Sequence, residues 1–333
     1  MGQIRIIHCI LGAVIGAGFA SGREQMHFFS RYGAFSRELI LLAGIMMTML
    51  MLRVMKKGTS GMAGLFRQGK LQKISQGITF LLLAATAGGM TAAAGELAAL
   101  TIPLMHIRWT GMFFSLTVCL FLSRHSLGVL GWLGKILLPL LLLTYLLCLR
   151  LPAAARIEKS LSTADIILAV FQAIGYAGMN VMLSAGILCR AGVQCRKRGR
   201  CRTAAWAGGV ITGILLLGNF TLISHPELEE EALPMVILLQ EYGMEGYYLA
   251  AAVLYLAVIT TLIAVLQALT EMIKPWVRNI GPVVWLIAAL TALAGFERIV
   301  AVAYPVLGIF CFVLILLPEK NRRLTQPPAH TRG

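Results

Sequence analysis

Charged residues are scarce in this 333-residue chain, at 13% against 58% hydrophobic residues. An ordinary soluble domain carries about 25%, so the shortage excludes a soluble globular chain. Acids are scarcer still, 14 against 29 bases, for a formal net charge of +15. Such an excess raises the question of nucleic acid. The bases, however, sit in loops between apolar runs, where the orientation signals of membrane proteins belong, and no nucleic-acid partner is expected. Catalytic signatures are missing too. The absence of GxxxxGK[ST] argues against a P-loop ATPase, and no HExxH or GxSxG elbow suggests an enzyme. The seven cysteines form no CxxC pair. Cys9, Cys119, Cys148 and Cys311 fall in apolar runs as small buried hydrophobes. Cys189, Cys195 and Cys201 flank a basic run without a histidine nearby. No zinc site is expected.

What the chain has in quantity is long apolar runs. A segment of about 20 apolar residues crosses a bilayer core. Ten such segments are predicted, at about 4–31, 35–54, 74–100, 110–123, 127–149, 162–190, 203–223, 246–272, 280–294 and 298–317. The fourth and ninth are short for a span. The first reads as a membrane segment rather than a cleavable leader, because nine more follow and no small-residue cleavage site stands out. The loop after the second segment carries Arg53, Lys56, Lys57, Arg67, Lys70 and Lys73. The loop after the sixth carries Arg190, Arg196, Lys197, Arg198, Arg200 and Arg202. Neither holds an acid, and Lys320, Arg322, Arg323 and Arg332 lie in the tail. The loop after the seventh holds Glu227, Glu229, Glu230, Glu231, Glu241 and Glu245 and no Lys or Arg. Both termini are therefore expected in the cytoplasm, with the acidic loop outside. Within that loop, EALPMVILLQEYG (231–243) is too short to span. It reads as an amphipathic or re-entrant helix, either capping an outer vestibule or simply lying at the interface.

The expected fold class is an all-α polytopic membrane protein of ten helices. One domain covers 1–320 and a cytoplasmic tail 321–333. Two halves, about 1–150 and 160–318, resemble each other. IGAGF at Ile15 and IGYAG at Ile174 are Gly-rich interruptions, and segments five and ten each hold a proline, Pro139 and Pro305. Five segments precede the second half, so it enters from the opposite side, which makes an inverted five-plus-five repeat with helices 1 and 6 broken.

Glycine weakens a helix and permits unusual backbone angles. A broken helix is tolerated in a bilayer only where protein or water surrounds it. The free N–H groups of the outer half and the free carbonyls of the inner half are opposite dipole ends. Together they suit a zwitterion, with its carboxylate on the N–H groups and its ammonium, or a metal cation, on the carbonyls. The candidate solute site is the backbone of Gly16, Ala17, Gly18, Phe19, Ala20, Ser21 and Gly22. Facing it in segment six are Gly175, Gly178, Tyr176 and Asn180. The competing reading of glycines in a membrane helix is close helix packing, and Tyr176 reads equally as a packed aromatic. The small residues of TAGGMTAAAG (86–95) in segment three fit packing better than ligand space.

The stretch GAVIGAGFASGREQMHFF (12–29) resembles the opening of the YkvI-like bacterial membrane proteins. Segment six, with Tyr176 and Asn180, is similar to theirs. That family is grouped with the amino acid–polyamine–organocation superfamily, so the resemblance implies the LeuT-type five-plus-five fold, a secondary transporter and the bacterial cytoplasmic membrane. In sodium-coupled members of that fold a cation sits between helix-one carbonyls and a hydroxyl pair on helix eight. Here the resemblance points to Gly12, Ile15, Thr260 and Thr261, with the alternative that each threonine bonds back to its own helix. Charged groups inside membrane segments are further candidates. Glu96 would carry a proton, face the vestibule or pair with a distant base. Glu24 would serve the dipole of the outer half-helix, or take part in proton transfer or gating. Arg23 would pair with an acid across the vestibule or attract an anionic group. Lys135 would stand in for a coupling cation or snorkel to the surface. The expected function is ion- or proton-coupled transport of a small organic solute, an amino acid or related amine or carboxylate. The alternative is a non-transporting ligand sensor on the same fold, as in spore-germinant receptor subunits. No cofactor is expected beyond Na+ or H+ as coupling ion. The expected partners are the solute and the bilayer, and the sequence leaves the oligomeric state open.

Overall fold

In lipid every backbone polar group must be satisfied within the chain, and helices do this segment by segment. The computed structural model describes residues 3–60, 65, 72–101, 108–124, 127–152, 160–195, 197–231, 233–295 and 298–317. Among them every regular element is helical. The first apolar run is divided into α1 (Gln3–Val14), α2 (Ala17–Ala20) and α3 (Arg23–Phe28). There follow α4 (Ser36–Lys57), α5 (Gln72–Thr101), α6 (Arg108–Ser123) and α7 (Leu127–Cys148). The second half holds α8 (Thr163–Leu183), α9 (Ala185–Gln194), α10 (Lys197–Leu222), the short α11 (Pro234–Gln240), α12 (Gly243–Ile273), α13 (Ile280–Ala292) and α14 (Tyr304–Leu316). A π-helical turn, Ile299–Ala303, precedes α14. Six elements are long and apolar enough to cross a bilayer, and four shorter apolar helices accompany them. α13, at 13 residues, reaches only about 20 Å at 1.5 Å per residue, as its short apolar run predicts. Of the residues considered above, Arg67, Lys70, Arg196, Lys320, Arg322, Arg323, Arg332 and the whole 321–333 tail lie outside the described residues.

Helices in a membrane associate through close packing rather than through a hydrophobic force between them, so the small residues mark the contacts. α1 lies on α7, where a Cβ on Gly12 would sit 3.4 Å from the Cα of Gly134. α8 lies on α14, where a Cβ on Gly175 would sit 3.1 Å from the carbonyl of Pro305. α4 packs on α10, α5 on α12 and α6 on α13. The α4–α10 contact is reciprocal. A methyl group on Gly44 would strike Thr212, and one on Gly208 would strike Thr48. Thr48 and Thr212 each bond back to the glycine of their own helix, at 2.9 and 2.7 Å. One contact thus occurs twice with the roles exchanged, as a two-fold relation between the halves would place it.

Segment six departs from its expectation. α8 runs unbroken through Gly175, Tyr176, Gly178 and Asn180. The interruption falls later, at Ser184 (φ −87°, ψ 2°), whose hydroxyl and N–H both turn back to the carbonyl of Asn180, at 2.9 and 3.2 Å. The glycines are packing residues. A Cβ on Gly178 would strike the carbonyl of Gly308, and one on Gly308 would strike the carbonyl of Gly175. Close approach to α14 requires glycine there, and nothing in that contact requires a break.

Polar ties fix both ends of the bundle. Arg53 Nε donates to the carbonyl of Ile315 (2.8 Å), and Lys57 Nζ reaches the same oxygen (2.9 Å). The basic end of α4 thereby satisfies open carbonyls at the end of α14, where positive charge suits the helix dipole. Arg190 of α9 pairs with Glu271 of α12. At the opposite end, Arg31 pairs with Glu229 of the acidic loop at 3.2 Å.

Candidate functional site

The backbone leaves the helix at two points in segment one. α1 ends at Val14, and Gly16 is extended (φ −94°, ψ −174°), with its N–H turned to the carbonyl of Val14 at 3.0 Å. Gly22 is left-handed at φ 81°, a conformation glycine adopts without penalty. Between them, Ala17, Gly18, Phe19 and Ala20 form one helical turn, with Ala20 and Ser21 N–H groups closing on the carbonyls of Gly16 and Ala17 (2.8 Å each). The expected gap over Gly16–Gly22 is therefore two separate kinks, at Ile15–Gly16 and at Ser21–Gly22. One turn of helix between them satisfies itself.

The outer kink is covered. The N–H of Met235, at the start of α11, donates to the carbonyl of Ser21 at 2.9 Å. A Cβ on Gly22 would lie 3.0 Å from the Met235 side chain. Arg23 donates to the carbonyls of Glu229 and Glu231, at 2.8 and 2.9 Å. The acidic loop and its short helix thus cover the Ser21–Gly22 kink.

The inner kink meets α12. A Cβ on Gly16 would lie 3.1 Å from Oγ1 of Thr261. That hydroxyl is buried and without a hydrogen-bond partner among the described residues. Thr260 instead donates to the carbonyl of Ala257 at 2.9 Å. Of the two threonines, only Thr261 offers an open oxygen at the break. Gly12 faces Gly134 of α7, and Ile15 is buried with its N–H on the carbonyl of Leu11 (2.8 Å).

Between the kinks lies a polar cluster in an aromatic wall. Glu24, 4% exposed, folds back so that its carboxylate covers Gly18, and a Cβ on Gly18 would collide with it. Gln25 donates through Nε2 to the Tyr145 hydroxyl (2.6 Å), which donates to the carbonyl of Phe19 (3.0 Å). Phe28 and Phe29 stand against Tyr176, with ring centroids 5.3 and 4.9 Å away. The Tyr176 hydroxyl is buried and unpartnered among the described residues. Asn180, one turn on, donates through Nδ2 to the main-chain carbonyl of Tyr176 at 3.1 Å, and its side chain lies beside that hydroxyl. Tyr304 of α14 is also buried, and the Glu24 carboxylate lies within electrostatic reach of Tyr145, Tyr176 and Tyr304.

The structure therefore brings Gly16, Gly18, Glu24, Tyr176 and Thr261 to one place. The Glu24 carboxylate is turned inward while Arg23 faces the loop. Glu96 stands apart in an ion pair with Arg108 (2.6 Å) at the outer corner of α5 and α6, the distant-base alternative. Lys135 is exposed on α7, while its neighbour Gly134 is buried against α1. Gly88 and Gly95 of segment three pack against Thr291 and Met112, so that run is a packing surface. Sequence reasoning missed Gln25, Tyr145 and Tyr304. The available signal was a lone polar aromatic in a leucine run, LLLTYLLC, and a tyrosine just before Pro305.

A cavity of about 750 Å³ lies elsewhere, between the inner ends of α5 and α12 and α13, lined by residues including Lys73, Phe80, Trp276 and Ile287. Its walls are mostly apolar, and Lys73 is the one charge among the described residues lining it. It holds no cluster of convergent polar groups of the kind a solute site needs.

No known family model matches the chain. It is 22% identical to the uncharacterized membrane protein YkvI of Bacillus subtilis (strain 168), over 94% of each chain. Among solved structures it is similar to MhsT in complex with L-phenylalanine, with a TM-score of 0.70 at 13% identity over 94% of this chain and 88% of that one. A variant of the manganese transporter of Eremococcus coleocola superposes with a TM-score of 0.60 at 13% identity, over 94% and 76%. The same transporter bound to an aromatic bis-isothiourea substituted compound gives 0.58, at 13% identity over 94% and 76%. The resemblance to YkvI read from the first segment thus extends along the chain. The chain is a membrane protein of the LeuT-type transporter fold.

Proposed function

We propose that this chain is a secondary transporter of a small organic solute, bound at the kinked first segment and moved by alternating access. The observation that carries the reading is the kink itself. The backbone leaves the helix at Gly16 in the middle of the bundle, beside buried oxygens without a hydrogen-bond partner among the described residues, Tyr176 Oη and Thr261 Oγ1. Buried polar atoms in a folded protein are ordinarily paired, and a bound solute and ion would pair them. On this reading the solute touches Gly16, Gly18, Glu24 and Tyr176. A sodium ion, if one couples, takes Thr261 with carbonyls of the α1 end. A proton is the alternative coupling ion.

The ten segments form a five-plus-five inverted repeat, which the exchanged Gly44–Thr212 and Gly208–Thr48 contacts support. Both termini face the cytoplasm of the bacterial inner membrane. The charge asymmetry of the loops and the ties from Arg53 and Lys57 to the end of α14 support that orientation. The test is uptake into proteoliposomes of labelled amino acids and amines, under a sodium gradient, a proton gradient or neither. Accumulation that follows one gradient is the expected result. Ligand-dependent thermal stabilisation without any flux would overturn it in favour of a sensor on the same fold.

A further inference from the structure

The site has a pronounced charge character. Glu24 is buried and, among the described residues, has no hydrogen bond or ion pair. Two open hydroxyls, Tyr176 Oη and Thr261 Oγ1, belong to the same cluster, whereas the open Gln25 Oε1 faces Gly218 of α10. The nearby cations are committed elsewhere. Arg23 is held by two carbonyls of the acidic loop, and Arg31 pairs with Glu229. His27 stands beside both arginines and packs edge-on against Phe28, with centroids 5.2 Å apart. Among the described residues the cluster holds one carboxylate, and the arginines beside it are engaged elsewhere.

A carboxylate buried without a partner is costly to the folded state, and such groups are ordinarily paired or hydrogen-bonded. Gly18 is the device that admits this one, since any Cβ there would occupy the space of the Glu24 side chain. A cation placed on that carboxylate would complete the site. A hard metal ion prefers six or more oxygen ligands, and the described residues hold no cluster of three or more acidic, histidine or cysteine side chains. An organic ammonium needs less. One carboxylate, a few oxygen acceptors and aromatic faces hold it, and Tyr176, Phe28, Phe29 and Tyr304 supply the aromatic faces.

We infer that Glu24 is the specificity determinant of the solute site, and that the solute is an organic ammonium compound whose positive group lies on the Glu24 carboxylate. The inference rests on the reading of the kink as a solute site, and it narrows that reading. An amine is required, and a carboxylate is dispensable.

The test uses the purified full chain and two matched sets of probes. One set is phenethylamine, L-phenylalanine and hydrocinnamate. The other is butylamine, L-norvaline and valerate. Apparent affinity is taken from the rise in unfolding midpoint with ligand concentration. In at least one set the amine and the amino acid stabilise the protein and the bare acid does not. Glu24→Gln keeps the shape and removes the charge, and it weakens amine binding at least about 30-fold, as loss of one partner of a buried charge pair does. Glu24→Asp keeps the charge but withdraws it by one methylene, so it retains part of the affinity. This variant guards against a Gln variant that fails to fold.

Three outcomes overturn the inference. The acids bind as well as the amines, or no amine binds. Glu24→Gln leaves amine affinity unchanged, whether or not it abolishes proton coupling. Sodium alone stabilises the chain through Glu24 while amines do not. Transport is scored separately. Amine binding through Glu24 with no flux in proteoliposomes sinks the transporter and leaves the ligand class standing. Flux of a solute indifferent to Glu24→Gln does the reverse.

Discussion

Segments one and six carry nearly the same string, IGAGF at 15–19 and IGYAG at 174–178, and they fold differently. In segment one the chain kinks at Gly16, and the space beside the glycines holds polar side chains, Thr261 at Gly16 and Glu24 at Gly18. In segment six the helix runs straight through, and the space beside Gly175 and Gly178 holds the backbone of α14. A glycine that faces another helix's carbonyl is there for close approach. A glycine that faces a buried polar side chain leaves room for chemistry. Composition is the same in both places, and only the neighbour separates a packing seam from a binding site.

The largest effect that tests this contrast is expected at Gly178. Gly178→Leu drives a branched side chain into the Gly308 carbonyl and Phe312. Overpacking of this kind costs about 1–3 kcal/mol and occasionally more, and a rigid backbone neighbour puts this change at the upper end. The unfolding midpoint in detergent and the yield of monodisperse protein should both fall. Gly18→Ala comes next, with the opposite signature. The three atoms nearest its single methyl all belong to the Glu24 side chain rather than to a backbone, so the midpoint without ligand falls less than for Gly178→Leu. Ligand binding and uptake should drop by about tenfold or more, because displacing a positioned group by an ångström suffices for that. If Gly18→Ala unfolds the protein while Gly178→Leu spares it, the two segments have exchanged roles and the comparison fails.

Much of the scaffold was legible from local pattern. Apolar run length set where the helices begin and end, down to the short α6 and α13. The glycine-rich first segment announced a kink, because no single helix face collects its small residues. The rest depends on contacts between residues far apart in sequence. Nothing local distinguishes Gly175 from Gly16, since what matters is that α14 lies behind one and α12 behind the other. The reciprocal pair of Gly44 with Thr212 and Gly208 with Thr48 repeats a G-x-x-x-T spacing. That motif is too short to read as a repeat until the helices cross. Glu24 was visible as a charge, but its inward turn follows from Gly18 being bare and from Arg23 being claimed by the carbonyls of Glu229 and Glu231. Tyr145 and Tyr304 reach the site from the helices packed against α1 and α8, a placement no segment shows alone.

The smallest effects separate two adjacent threonines. Thr260 spends its hydroxyl on the carbonyl of Ala257, whereas Thr261 holds a buried hydroxyl with no partner among the described residues. Valine keeps the shape of threonine and removes the hydroxyl. Thr260→Val should therefore lose a hydrogen bond worth about 0.5–1.5 kcal/mol, seen as a modest fall in midpoint with or without sodium. Thr261→Val removes an oxygen that the empty protein does not use, so its midpoint in potassium should hold or rise slightly. If sodium is the coupling ion, the same variant loses whatever stabilisation sodium gives the parent protein, because the hydroxyl facing Gly16 is the one positioned to bind it. The two variants then cross over, Thr260→Val weaker in potassium and Thr261→Val weaker in sodium. Parallel behaviour in both salts would mean that the inner kink holds no sodium, and coupling would fall to a proton.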